Sequence, residues 1–167
     1  ALRERAAGLR AIRAAADRQS DPVYQAILRA WQHYLERLQA AQAAENDIAA
    51  WQAAVEAGEA LLAPEFADTP GIDWDAVRAN LASSYTSLCI AHEKAGNLEA
   101  SLAATDRAIA LQPEYAMWRR NRVGTLIDLG RRTEAAEELA RARALEPDAA
   151  RLAELEARLR DAARDAG

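Results

Sequence analysis

A 34-residue period in the second half of the chain limits most strongly what it can fold into. Four pairs of identical residues are 34 positions apart: Gly96 and Gly130, Ala108 and Ala142, Leu111 and Leu145, Pro113 and Pro147. Glycine adopts the left-handed backbone that ends a helix in a tight turn, alanine lets two helices approach closely, and proline ends a helix. We therefore expect each period to form a helical hairpin, with its leucine in the core between the helices.

Apolar residues recur at helical spacing along the chain, and residues that end helices separate these stripes. Asp21-Pro22 and Asp73 each predict the start of a helix. The pattern as a whole predicts about eight helices in one domain that spans 1–167. Its parts are an N-terminal helix over 1–20, a divergent hairpin over 22–63, a loop over 64–72, a repeat with an extended first helix over 73–115, a repeat over 116–149 and a capping helix over 150–165.

The composition favours an all-α fold and disfavours several function classes. The chain has 44 alanines but only 5% aromatic residues, which disfavours a β-sandwich or β-barrel. The longest uncharged stretch, 79–92, is too short and too polar to cross a bilayer. A net charge of −5 gives no overall attraction for nucleic acid or acidic membranes. We expect a cytoplasmic protein, with the periplasm as the alternative, and the bias towards arginine and alanine indicates a bacterial genome rich in GC.

The residues that could carry chemistry do not form a recognisable catalytic or metal site. Cys89 is the only cysteine, which excludes an internal disulfide and a zinc site built on paired cysteines. His33 and Glu36 share a helical face, but two ligands do not make a metal site. The four tryptophans fit the apolar stripes of a core. The sequence therefore predicts a protein that is not an enzyme and has no cofactor or metal.

The repeated pattern resembles the tetratricopeptide repeat (TPR) family, most strongly over 82–149. In the repeat 82–115, the residues that match the family pattern are Tyr85, Leu88, Gly96, Ala108 and Pro113. In the repeat 116–149 they are Gly130, Ala135, Leu139, Ala142 and Pro147. This second repeat departs from the pattern at Arg119 and Arg122, where the family has an aromatic residue and leucine. The resemblance implies an all-α, right-handed solenoid of helical hairpins with capping helices at both ends. It also implies that Cys89, at a small-residue position of the family, is a buried thiol, and that His92, at a tyrosine position of the family, is a packed, hydrogen-bonded core residue.

A weaker unit over 32–65 resembles the same family. Asn46 is expected in the left-handed position of its turn, since asparagine tolerates that backbone. Trp51 stands where the family has alanine, and Gly58 and Pro64 match.

The resemblance also implies a concave groove, lined by the first helix of each repeat, that binds a peptide, helix or partner domain. The residues at the family's groove positions are Ser83, Thr86, Ser87, Ile90 and Glu93 in one repeat, and Met117, Arg120, Asn121, Gly124 and Ile127 in the next. Arg120 and Asn121 are the candidates for holding a carboxylate of the partner. The alternative is an ordinary solvated face of arginines paired with nearby acids, formed by Arg119, Arg120, Arg122, Arg131 and Arg132.

We therefore expect a non-catalytic scaffold for protein–protein interaction. The alternative is a regulatory, sensor or self-associating segment of a larger protein whose activity lies outside this chain. Between 45 and 80 there are eight acidic residues and one basic residue, Arg78. This acidic stretch either attracts a basic partner or is a plain loop.

Overall fold

The computed structural model describes residues 21–67, 69–146 and 150–164, and these residues form helices, turns and no strand. Its α-helices are α1 (Pro22–Ala43), α2 (Ile48–Glu59), α3 (Trp74–Lys94), α4 (Leu98–Leu111), α5 (Ala116–Asp128), α6 (Arg132–Leu145) and α7 (Ala150–Arg164). Two short 3-10 helices, Ala60–Leu62 and Pro64–Phe66, follow α2. The predicted all-α class is confirmed. The N-terminal helix predicted for 1–20 lies outside the described residues.

The chain divides into two compact units, the first ending at Ser87 and the second beginning at Leu88. The division falls inside α3. Within the described residues, no helix combines the length and the apolar character needed to cross a membrane.

In the first unit, α1 packs against α2. Helix α1 begins as predicted: Asp21 is the N-cap, its Oδ1 accepts a hydrogen bond of 2.8 Å from the Val23 amide, and Pro22 occupies the first turn. Asp73 likewise accepts a hydrogen bond from the Ala76 amide at 3.0 Å, near the start of α3. The apolar stripe of α1 is buried, as the helical spacing predicts; its members are Ile27, Trp31, Tyr34, Leu38 and Ala41.

Gly58 marks a close approach of helices in the first unit. A Cβ built on it would lie 2.6 Å from Leu81 Cδ1 and 3.1 Å from Tyr34 Cε2. The Tyr34 hydroxyl also lies 2.7 Å from Ser84 Oγ. A small residue at position 58 therefore lets α2 lie close to both α1 and α3.

The turn between α1 and α2 corrects one prediction. The residue with positive φ is Glu45, at 50°, and not Asn46. Helix α1 ends at Ala43, and Asp47 is the N-cap of α2, accepting from the Ala49 and Ala50 amides. The indole of Trp51 donates to the Glu45 carbonyl, so this side chain holds the turn in its strained conformation.

The second unit repeats its backbone geometry after 34 residues. Gly96 and Gly130 have φ values of 77° and 72°. At each turn the glycine amide bonds to the carbonyl three residues before it, and the next amide bonds to the carbonyl five residues before it, which is the Schellman motif. Helices α4 and α6 both have 14 residues, and they begin and end 34 positions apart. The residues after them, Gln112 and Glu146, also have closely similar dihedral angles.

The main core of the second unit lies among α5, α6 and α7, with a contribution from α4. Its members are Leu102, Val123, Leu126, Ile127, Ala135, Leu139, Ala142, Leu152 and Leu155. Ala108 and Ala142 are both buried, as predicted for close helix contacts. The prediction that Leu145 fills the core is wrong, because Leu145 is 36% exposed and α6 reaches the core through Leu139 and Ala142 instead. Its counterpart Leu111 is half-buried, and Pro147 lies outside the described residues.

Candidate functional site

The predicted groove residues in the first unit lie on one face of α3. Ser83 is exposed, and Thr86 and Ser87 are half-buried. Each hydroxyl donates to the carbonyl four residues earlier in the same helix, at 3.0, 3.1 and 3.4 Å. Because these donors are already used, the three side chains offer a partner small surfaces and acceptor oxygens.

In the second unit, the last turns of α3 contribute Ile90 and Glu93. Ile90 is 42% exposed, which is unusual for a large aliphatic side chain in this chain. Glu93 is also exposed, yet its Oε1 accepts hydrogen bonds from Thr125 Oγ1 at 2.9 Å and Ser101 Oγ at 3.3 Å. The bond to Thr125 places α5 beside the end of α3.

Helix α7 also packs against this part of α5. A Cβ on Gly124 would lie 3.7 Å from Arg158 Nη1, and Arg158 Nη2 donates to Asp128 Oδ1 at 2.7 Å. Ile90 and Glu93, one helical turn apart, are the exposed members of the predicted groove residues in this unit, and we call the surface that they form the α3 end surface.

The five predicted groove residues on α5 have different environments. Met117 and Asn121 are half-buried, and Gly124 lies under Arg158. Ile127 lies in the core cluster, 9% exposed, so in this arrangement it packs inside the protein and not at a surface. Arg120 is ion-paired with Glu146, and a carboxylate of a partner would have to displace that residue.

Four of the five arginines of the alternative interpretation pair with acids, but Arg119, Arg120 and Arg122 are half-buried and do not form an ordinary solvated face. Arg120 pairs with Glu146, and Arg131 pairs with Glu134 at 2.7 Å and with Glu99 at 3.4 Å. Arg132 has no ion pair within the described residues, and its Nε is buried without a hydrogen-bond partner.

Arg119 and Arg122 pair with a buried carboxylate that sequence reasoning missed. Glu138 is 2% exposed and lies 2.8 Å from Arg119 Nη1, 3.5 Å from Arg122 Nη1 and 2.9 Å from Arg141 Nη1. The partner of these two arginines inside the hairpin is an acid, so the hairpin interior here contains paired charges. The 34-residue period is the sequence signal that could have found it, because it makes position 138 equivalent to position 104. Ala104 is also buried in the structure.

Cys89 is a buried free thiol, as predicted. Its Sγ lies 3.1 Å from Ser101 Oγ and 3.1 Å from Thr105 Oγ1. Burial raises the pKa of the thiol, and the nearby Glu93 carboxylate raises it further, against the hydroxyl hydrogen bonds that lower it. The group is therefore protonated at neutral pH and is a poor nucleophile.

His92 differs from its prediction as a hydrogen-bonded core residue. It is half-buried, and its Nδ1 has no hydrogen-bond partner in the described chain. No cluster of three or more His, Cys, Asp or Glu side chains suited to a metal ion occurs within residues 21–67, 69–146 and 150–164.

Comparison with known proteins adds no relative. No protein-family model matches this chain, and a search of curated proteins gives no match either.

Proposed function

We propose that this chain is a TPR-type solenoid of helical hairpins and acts as a non-catalytic scaffold that binds a peptide or helix of a partner protein. The shared geometry of the two hairpins supports the assignment to this type of fold: the same Schellman turns recur after 34 residues, and helices of equal length follow them. Hairpins of this kind cannot bury their apolar faces alone, so they stack and leave one set of helices facing a partner.

The observation that carries the proposed binding role is the exposed Ile90 beside the exposed Glu93. Covering an aliphatic side chain that extends from a helix into solvent is favourable, because its apolar surface is removed from water. The Glu93 carboxylate accepts its hydrogen bonds through Oε1, and Oε2 has no protein partner within the described residues. The surface thus favours a segment that places an apolar side chain on Ile90 and a lysine, arginine or backbone N–H near Glu93.

The proposed partner is basic and not acidic in this region. Arg120 and Arg158, the cations that would attract a carboxylate, are already paired with Glu146 and Asp128. The net charge of −5 also favours a basic partner. A bound segment with an apolar and a basic side chain one helical turn apart would satisfy both groups.

Ile90→Asp tests this function, with Val23→Asp as the matched control. Val23 on α1 is 38% exposed, so both variants place a carboxylate at a similarly exposed aliphatic position. Each variant is used as bait in a lysate of the source cells, beside the unmodified protein. We expect a specific partner to be lost with Ile90→Asp and retained with Val23→Asp. Capture of the same partners by both variants would contradict the proposal. If light scattering gives a smaller mass in solution for Ile90→Asp than for the unmodified protein, the surface binds a second copy of the chain instead.

A further inference from the structure

The first unit contains a pocket that the proposed scaffold role does not use. It has a volume of 350 Å³ and lies between the segment that follows α2 and the first turns of α3. Its lining residues are Leu61, Leu62, Ala63, Ala67, Trp74 and Arg78. Pockets that bind small molecules begin at about 300 Å³, so this one accommodates a small ligand and not a folded partner.

Hydrogen bonds connect the chain segment beside the pocket, although the bonded residues do not line it. Phe66, in the 3-10 helix beside the pocket, is buried, and its carbonyl accepts a hydrogen bond of 2.7 Å from the Thr69 hydroxyl. The Tyr24 hydroxyl of α1 donates to the Pro70 carbonyl.

Arg78 is the one charged side chain among the described residues that line the pocket, and the accessible lining is about half polar and half apolar. The other lining residues are two leucines, two alanines and a tryptophan, and Arg78 is the only basic residue between 45 and 80. Arg78 Nη2 pairs with Asp75 Oδ1 at 2.5 Å, but the Asp75 side chain is 92% exposed. Such a solvent-exposed pair contributes little, and the other N–H groups of this guanidinium have no protein partner in the described chain.

We propose that this pocket binds a small monocarboxylic acid with an apolar body. The carboxylate pairs with the free edge of the Arg78 guanidinium, whose planar fork matches two carboxylate oxygens, and the apolar body lies against the leucines and the Trp74 ring. The eight acids between 45 and 80 disfavour ligands with several negative charges, such as nucleotides. The same chemistry is offered by a free acid and by the C-terminal residue of a peptide.

Isothermal titration with 3-phenylpropionate, against its uncharged amide, tests the proposal. We expect the acid to bind and the amide to bind about tenfold more weakly, since it loses the ion pair. A short peptide that ends in phenylalanine, as free acid and as amide, separates the two sources. Binding of the peptide acid alone assigns the pocket to a chain terminus, and binding of 3-phenylpropionate assigns it to a free acid. Equal binding of acid and amide, or no saturation by either acid up to about 10 mM, would overturn the proposal.

Three variants distinguish a binding role of Arg78 from a structural one. Arg78→Met should weaken the acid about tenfold, whereas Arg151→Met should have no effect, because Arg151 forms a comparable exposed pair with Glu154 at 2.6 Å in the second unit. Asp75→Asn removes the competing carboxylate and should tighten binding about threefold. A damaged pocket would not bind more tightly, so opposite effects of Arg78→Met and Asp75→Asn support the proposal, and equal affinity of Arg78→Met and the unmodified protein contradicts it.

Discussion

The two hairpins of the second unit share a backbone but differ in what lies inside them. In the hairpin of α3 and α4, the buried position 104 is alanine, and its neighbour Thr105 contacts the Cys89 thiol. In the hairpin of α5 and α6, the equivalent position is Glu138, surrounded by three arginines. The glycine turns and the small residues at 108 and 142 are common to both. The comparison teaches that turns and close contacts fix the hairpin, while the interior accepts either neutral or charged groups if the charges are paired.

The largest effect should follow from leaving Glu138 unpaired. Arg119→Met with Arg122→Met removes two of its three cations, and breaking a buried pair in this way should lower the free energy of unfolding by about 4 kcal/mol. Adding Glu138→Ala, the residue type of position 104, should recover most of the loss because no buried charge is then left over. Urea unfolding measures both changes. A triple variant no more stable than the double variant would contradict the claim that this interior accepts a neutral residue as well as a paired charge.

A smaller loss is expected where the two hairpins are alike. Ala108→Leu and Ala142→Leu each insert bulk at a buried helix contact and should each cost about 2 kcal/mol. Ala136→Leu on α6, at an exposed position, is the matched control and should change stability little. If only one of the two buried variants is destabilised, the hairpins do not share this contact.

Substituting the residue with positive φ should change stability in opposite directions in the turns of the two units. Gly96→Ala and Gly130→Ala should each lower stability by about 1 kcal/mol, because alanine resists a positive φ. No steric cost is added, because the new Cβ meets nothing within 4 Å. Glu45→Gly in the first unit should instead stabilise the chain by less than about 1 kcal/mol, because Glu45 already adopts a positive φ. Thermal unfolding measures all three, and a loss of stability in Glu45→Gly would contradict this account of the turn.

The smallest effect concerns the interior of the α3–α4 hairpin at high pH. Since burial raises the pKa of the Cys89 thiol, the unfolded chain loses this proton at a lower pH than the folded chain does. The contribution of the thiol is complete below its ordinary pKa of 9.0 and is lost as the pH rises from there through the folded value. We expect Cys89→Ala to remove this component from the alkaline decline in stability. An unchanged decline in the variant would contradict a raised pKa.

The caps and turns of this fold could be predicted because each depends on residues close in sequence. Asp21, Asp73, Gly96 and Gly130 all have the predicted role. The turn at Glu45 could not be predicted, because the indole that holds it comes from Trp51 in the next helix.

The candidate site was harder to predict because its residues depend on distant partners. Arg120 is paired with a glutamate 26 positions away, and Ile127 lies in a core cluster to which residues of three other helices contribute. The family pattern specifies which helix face a residue occupies but not which side chains of the same protein cover that face. Ile90, which is 42% exposed, and Glu93, which has no ion pair within the described residues, are the predicted groove residues of the second unit on which the proposed function depends.

Site-specific photo-crosslinking tests the proposed scaffold role most directly. A photoreactive side chain replaces Ile90 in one sample and the similarly exposed Val23 in another, and each protein is irradiated in a lysate of the source cells. The proposal predicts a discrete cross-linked partner from position 90 that is absent from position 23 and that competes with unmodified protein. No cross-link at position 90, or the same products from both positions, would contradict it.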